Sequence, residues 1–158
     1  MARVGLIVRE GLLFGVLAGV FALIVRVVAV LATNDFNPTM LSNFVTTALG
    51  LLIIGGAGRK LATLTRASTP GLQMGALAGG ISELFRTIVA DIVLSYLPAG
   101  QAAFNHLTPT QKAAVADTSK LIVNLGLELA LAIIFGALIG WLGAWSLLQF
   151  RPPREPKA

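Results

Sequence analysis

Five ionisable side chains lie inside long apolar stretches of this chain, where charge is costly. They are Arg26, Glu83, Arg86, Asp91 and Glu128, and a polar residue, Asn124, lies one helical turn before Glu128. A charged side chain at the centre of a bilayer costs ~2.5–3.5 kcal/mol on insertion scales. We therefore expect these residues to face one another inside a helical bundle rather than to face lipid.

Arginines and carboxylates in this setting allow three interpretations. They can form ion pairs that fix helix packing, they can form a site for an ion, a proton or an anionic head group, or an arginine can extend to the lipid head groups. Glu83 and Arg86 are three residues apart and should pair on one helix face. At a rise of ~1.5 Å per residue, Arg26, Arg86 and Glu128 fall at one level, so we expect Arg26 to pair with Glu128.

The chain offers no catalytic set that we can recognise. It has no cysteine, and its one histidine, His106, lies in a polar connector. No nucleophile stands at a known spacing from a base and an acid. We therefore expect no enzyme activity, no bound metal and no cofactor.

Composition places the chain in the membrane. Hydrophobic residues make up 56% and charged residues 12%, and the mean hydropathy is +0.83. Soluble domains carry roughly a quarter of their residues as charged ones. We expect a multi-pass protein of the inner (cytoplasmic) membrane, with residues 1–158 forming one membrane domain and the lipid bilayer as its surroundings.

Four apolar runs reach the length of ~20 residues that is needed to cross a bilayer. They predict an all-α protein with transmembrane helices over about 11–32, 41–58, 71–97 and 121–148, and residues 4–10 as a turn at the interface.

The Lys and Arg residues that give the net charge of +5 flank these runs: Arg3, Arg9, Arg59, Lys60, Arg66, Arg151, Arg154 and Lys157. This bias predicts that both termini, the 59–70 loop and the polar tail 149–158 are cytoplasmic. It does not indicate a nucleic-acid partner.

The two halves of the chain resemble each other. Residues 11–38 align without a gap on residues 71–98, and the glycines, one arginine and the last proline coincide: Gly11/Gly71, Gly15/Gly75, Gly19/Gly79, Arg26/Arg86 and Pro38/Pro98. This pattern predicts two parallel helical-hairpin repeats, over about 11–60 and 71–148, related by a pseudo-twofold axis along the membrane normal. Chance similarity between Gly-rich helices is the alternative.

Small residues recur every four positions on three of the predicted helices. The stripes are Gly11, Gly15 and Gly19; Gly71, Gly75 and Gly79; and Gly136 and Gly140. Such stripes let helix backbones approach closely in lipid, where no hydrophobic force holds helices together. Their partner is either another helix of this chain or a second protein.

The connector at 98–120 carries a helix start signal of its own. Thr108 is placed as an N-cap, Pro109 as the first helical residue and Gln111 as the reciprocal cap. A short helix over about 109–118 is therefore expected, as a spacer or as a docking surface.

Two functions remain open at this level. One is a small non-catalytic membrane subunit or a homo-oligomeric scaffold that packs on other membrane subunits, or on itself, through its glycine stripes. The alternative is a small transporter or channel that uses the intramembrane Arg, Glu and Asp residues. Water access to these residues distinguishes the two, because a transporter needs them in an open cavity.

Overall fold

The computed structural model of the protein describes residues 2–33 and 40–150, which are helical apart from short turns. The helices are α1 (Ala2–Thr33), α2 (Met40–Thr65), α3 (Thr69–Leu84), a π-helical turn (Phe85–Val89), α4 (Ala90–Tyr96), α5 (Pro98–Asn105), α6 (Pro109–Ala116) and α7 (Thr118–Gln149). The predicted connector at 33–40 and tail at 149–158 lie mostly outside the described residues.

Within the described part of the chain, three helices are long and apolar enough to cross a membrane. They are Val4–Thr33, Met40–Thr65 and Ile122–Gln149. Apolar side chains such as Leu52 and Val123 are largely exposed along them, as expected for surfaces that contact acyl chains. The residues predicted as an interfacial turn, 4–10, continue α1 without a break, and α2 runs past its predicted end at 58 to include Arg59 and Lys60.

The predicted third span is helical but not uniform. α3 continues into the π-helical turn Phe85–Val89, in which the Ala90 amide donates to the Phe85 carbonyl five residues earlier, and then into α4. α3 packs against α1, α2 and α7, and half of its 16 residues are buried. Its buried positions include Met74, Ala78 and Glu83.

The four long helical stretches form a ring in the order α1, α3, α7, α2. α2 and α3 also touch across the middle, whereas α1 and α7 lie at opposite corners. We call the end of the bundle that carries Arg9 and Lys60 the basic end. We call the end that carries α5 and α6 the loop end.

Three helices converge on Gly140 near the basic end. A Cβ atom at Gly71 of α3 would lie 2.6 Å from the Gly140 carbonyl oxygen, and a Cβ at Gly58 of α2 would collide with the same oxygen. Further along α3 and α7, a Cβ at Gly136 would lie 2.9 Å from the Gly79 Cα. These are approaches of backbone to backbone that a larger residue would prevent.

The matching glycines of α1 are used differently. A Cβ at Gly11 would lie 2.7 Å from Leu77, and one at Gly19 would lie 2.6 Å from Phe85, so these positions receive side chains of α3 and the π-helical turn. Gly15 lies against the Ile81 side chain and also against the Ala78 backbone. The stripe of α1 thus faces α3, whereas the stripe of α3 faces its own hairpin partner, α7. The predicted repeat does not produce equivalent helix contacts in the two halves.

The loop end is capped by two short helices. The predicted helix start is present. The Thr108 hydroxyl accepts a hydrogen bond from the backbone N–H of Gln111 at 3.3 Å, and the Gln111 side-chain oxygen accepts one from the backbone N–H of Thr108 at 2.8 Å. α5 is absent from the prediction. Its Ala103 joins Val30 of α1 and Leu94 of α4 in a small buried cluster, so the connector is anchored to the bundle.

Substitution of Gly136 by alanine should destabilise the protein, whereas the same change at Gly126 on the same helix should not. The added methyl at Gly136 collides with the Gly75 carbonyl, but nothing lies within 4 Å of a Cβ at Gly126. We expect a loss of ~1–3 kcal/mol at Gly136 from overpacking, and no loss at Gly126, where alanine is the better helix former. Unfolding in detergent measures both, and equal stability of the two variants would contradict this packing.

Candidate functional site

A cleft of about 460 Å³ lies between α2 and α7, with α3 as its floor. It forms because α2 and α7 meet closely near the basic end, at Gly58 and Gly140, and separate towards the loop end. The part nearer the basic end is apolar, with Leu51, Ile54, Leu131, Phe135 and Ile139 among its lining residues. Polar residues line the part nearer the loop end.

Three of the predicted intramembrane charges meet in this cleft: Glu83 and Arg86 from the α3 stretch and Glu128 from α7. We call these three residues the Arg86 cluster. Asn43, Thr46 and Thr47 of α2 line the cleft beside them. The cleft is therefore amphipathic, with an ionic end and an apolar end.

Arg86 and Glu83 form the close ion pair that their spacing predicted. Arg86 Nε lies 3.1 and 3.0 Å from the two Glu83 carboxylate oxygens, and Nη2 lies 2.6 Å from Oε1. The Glu83 side chain is 11% exposed. Planar, charge-assisted contacts of this kind are among the strongest that side chains make.

Glu128 is held more loosely. Its Oε2 lies 3.6 Å from Arg86 Nη2, beyond hydrogen-bond length, and its side chain is 49% exposed. The Arg86 guanidinium is thus bound firmly by one carboxylate and only approached by the second.

The predicted pair of Arg26 and Glu128 is wrong. Arg26 Nη2 instead lies 2.6 Å from Asp91 Oδ1, and Nη1 donates to the Arg86 carbonyl oxygen at 3.0 Å. The contact of Arg26 with the Arg86 carbonyl agrees with the prediction that the two arginines lie at the same depth in the bundle. The error lies in the partner, because α1 and α7 are at opposite corners of the ring.

The π-helical turn explains why Asp91 is available to Arg26. In a regular α-helix, a residue five positions on lies ~140° around the axis. In a π-helix, residues five apart stack on one face, because each hydrogen bond spans five residues. Asp91 follows Arg86 by five positions across this turn, and Arg26 contacts both the Arg86 carbonyl oxygen and the Asp91 carboxylate. No periodicity in the sequence indicated the turn.

The remaining candidates lie around the cleft rather than in it. Asn124 is exposed on α7, one turn beyond Glu128 towards the loop end. A separate small cavity of about 20 Å³ lies between Arg26, Arg86 and the start of α2, where Ser42, Asn43 and Thr46 line it. It is large enough for about one water molecule.

The glycines named from the sequence are packing residues and not site residues, apart from two. Six of them lie only in helix contacts: Gly11, Gly15, Gly19, Gly71, Gly75 and Gly140. The other two, Gly79 and Gly136, pack against each other and also line the cleft.

Sequence reasoning missed the polar side of α2. Its signal was the spacing of Asn43, Thr46 and Thr47, which puts polar groups on one face of an apolar helix.

A second ionic cluster at the basic end was also missed. The Glu10 side chain is 2% exposed, although residues 4–10 were expected at the interface. Its two carboxylate oxygens accept from Lys60 Nζ at 2.7 Å and Arg9 Nη2 at 2.8 Å. Lys60 also lies 5.4 Å from the Phe14 ring centroid. The cluster joins the ends of α1 and α2.

Metal binding finds no support among the described residues. Across 2–33 and 40–150, no three His, Asp or Glu side chains are grouped so that they could hold a metal ion. The described lining residues of the cleft offer charge, hydrogen bonds and apolar contact.

Glu83→Gln and Glu128→Gln should differ in stability, although both remove one carboxylate beside Arg86. Removing one member of a buried pair typically costs ~3–5 kcal/mol, so we expect a loss of about 3 kcal/mol for Glu83→Gln. Loose, exposed pairs contribute ~1 kcal/mol or less, which is our expectation for Glu128→Gln. Thermal unfolding in detergent ranks the two. A larger loss at Glu128 would mean that the assignment of the strong pair is incorrect.

Comparison of the chain with protein-family models, with curated proteins and with solved structures finds no match.

Proposed function

We propose that this protein belongs to the transport class of small membrane proteins, and that it takes a charged solute into the cleft from the loop end. The observation that supports this proposal is the position of the Arg86 cluster on the wall of an open cleft instead of inside a closed bundle. Ion pairs that served only to fix helix packing would have no need of such a cleft. Intramembrane ionisable residues beside a cavity typically mark an ion or substrate site.

The proposal includes four spans. Thr69–Tyr96, with its π-helical turn, is the fourth crossing, and its charged residues are tolerated because Glu83 and Arg86 neutralise each other. Both termini and the 59–70 loop are then cytoplasmic, because Lys and Arg concentrate at the basic end. The loop end, with α5 and α6, then faces outwards, and the polar part of the cleft lies nearer to that side.

The basic end of the cleft is closed in this structure. Backbone contacts of Gly140 with Gly58 and Gly71 close the gap between α2, α3 and α7, and Glu10 with Lys60 ties α1 to α2. Release of a solute to the cytoplasm therefore requires α2 or α7 to move away from Gly140.

The glycine contacts weigh against a scaffold that assembles through these stripes. Each of the three stripes already contacts another helix of the same chain, so its glycines are not open to a partner. A subunit role would need a different surface, such as the exposed apolar face of α7, which lipid also covers.

Labelling of single cysteines tests whether water reaches the cleft. The chain has no cysteine, so Thr47→Cys, in the cleft, and Leu52→Cys, on the outer face of α2 at 73% exposure, give clean probes. With a membrane-impermeant thiol reagent added at the outer face of vesicles, we expect Thr47→Cys to react at least tenfold faster. Equally slow reaction at both positions would mean a cleft closed to water, and would contradict the proposal.

A second pair of cysteines tests the fourth span. Thr69 and His106 are exposed at opposite ends of the proposed crossing. We expect an impermeant reagent at the outer face to label His106→Cys, and Thr69→Cys to react only after the membrane is opened. Labelling of both from one side would show that Thr69–Tyr96 does not cross.

A further inference from the structure

We infer that the ligand of the cleft is a lipophilic cation: one positive centre on an apolar body. This inference rests on the proposed function, since it names the solute class that the same cleft would take. It follows from the charge that the cleft presents, from the character of its walls and from its size.

The charge of the cleft is negative once its ion pairs are assigned. Arg86 contributes one positive charge, and three contacts of 3.1 Å or less bind it to Glu83. Glu128 supplies a further carboxylate, 3.6 Å from Arg86 Nη2 and half exposed. Glu128 is therefore the surplus anion of the cleft, and a cation can approach it without breaking the strong pair.

The neighbouring ion pair does not reverse this balance. Arg26 lies 2.6 Å from Asp91, so the two charges offset each other. The small cavity on which Arg26 borders is lined from α1, the start of α2 and the π-helical turn, not from α7. Glu128 thus faces no second cationic side chain among the lining residues of the cleft.

The walls require an apolar body. Asn43, Thr46 and Thr47 line the cleft beside the Arg86 cluster, and the rest of the lining is mainly apolar, with residues such as Leu51, Leu131, Phe135 and Ile139. These groups replace the hydration shell of a small inorganic cation poorly, whereas they bury aliphatic or aromatic surface well. An aromatic ring such as that of Phe135 also attracts organic cations. The volume of about 460 Å³ suits a drug-sized molecule.

Two ions of the same shape and opposite charge test this inference directly. Tetraphenylphosphonium and tetraphenylborate differ in the sign of their charge but hardly in size or apolar surface. We expect the purified protein in non-ionic detergent to bind tetraphenylphosphonium at least tenfold more tightly than tetraphenylborate in equilibrium dialysis. Binding of tetraphenylborate as tightly as, or more tightly than, tetraphenylphosphonium would overturn the inference.

Variants at Glu128 identify the group responsible. Glu128→Gln should weaken tetraphenylphosphonium binding at least tenfold, and Glu128→Asp should retain most of it. Asp117→Asn is the matched control, because it removes one negative charge at the loop end, outside the residues that line the cleft. It should change binding by less than twofold. Unchanged binding in a folded Glu128→Gln protein would overturn the assignment.

Failure of the inference and failure of the proposed function give different results. If neither ion binds and Thr47→Cys is still labelled, the inference is overturned, while the cleft remains open to water and takes another kind of solute. If neither ion binds and Thr47→Cys is unreactive, both proposals fail.

Discussion

The arrangement of this protein depends on how closely its helix backbones approach each other near the basic end. Gly58, Gly71 and Gly140 let three helices meet at one point, and in lipid such van der Waals contact is a main source of helix association. Helices that cross tightly at one end and diverge from there leave a gap at the other. The glycines that hold the bundle together therefore also create the cleft, although only Gly79 and Gly136 among those at the α3–α7 contact line it.

The ionic groups follow from the same geometry. Where α2 and α7 have separated, the floor of the gap is the α3 stretch, and this is where Glu83 and Arg86 lie. Firm neutralisation of Arg86 by Glu83 makes an arginine tolerable at this depth. The second carboxylate, Glu128 on α7, lies 3.6 Å from Arg86 Nη2 and is half exposed. One chain thus holds a rigid ion pair and a looser anion within a few ångströms of each other.

Sequence reasoning reached the parts of this description that depend on local chemistry. Composition and short spacings predicted that the long apolar segments are helical, that Thr108 caps a helix and that Glu83 pairs with Arg86. These features do not depend on how the helices are arranged in the tertiary structure. The partner of Arg26 could not be predicted, because it depends on ring order and on a π-helical turn that inserts one extra residue into the helical period. Glu10 was misplaced for a similar reason: burial of its carboxylate depends on Lys60, fifty residues later in the chain.

The two matching glycine stripes show how far an internal similarity can be interpreted. Identical spacing in α1 and α3 makes both helices able to pack closely, but it does not choose the neighbour. In α1 the stripe contacts mainly side chains of α3 and the π-helical turn, whereas in α3 it contacts mainly the backbone of α7. Because Glu83, Asp91 and Glu128 all belong to the second half, the halves also differ in the ion pairs that they can form.

The Glu10 cluster also changes the charge that the basic end shows once the chain has folded. Rules that assign membrane topology count lysines and arginines near the ends of spans and give acidic residues little weight. Here one carboxylate contacts both Arg9 and Lys60 in the folded protein. Two of the cations that would retain this end in the cytoplasm while the helices insert are thus partly offset after folding. In the proposed orientation, the charge available to direct insertion is thus larger than the net charge that this end shows after folding.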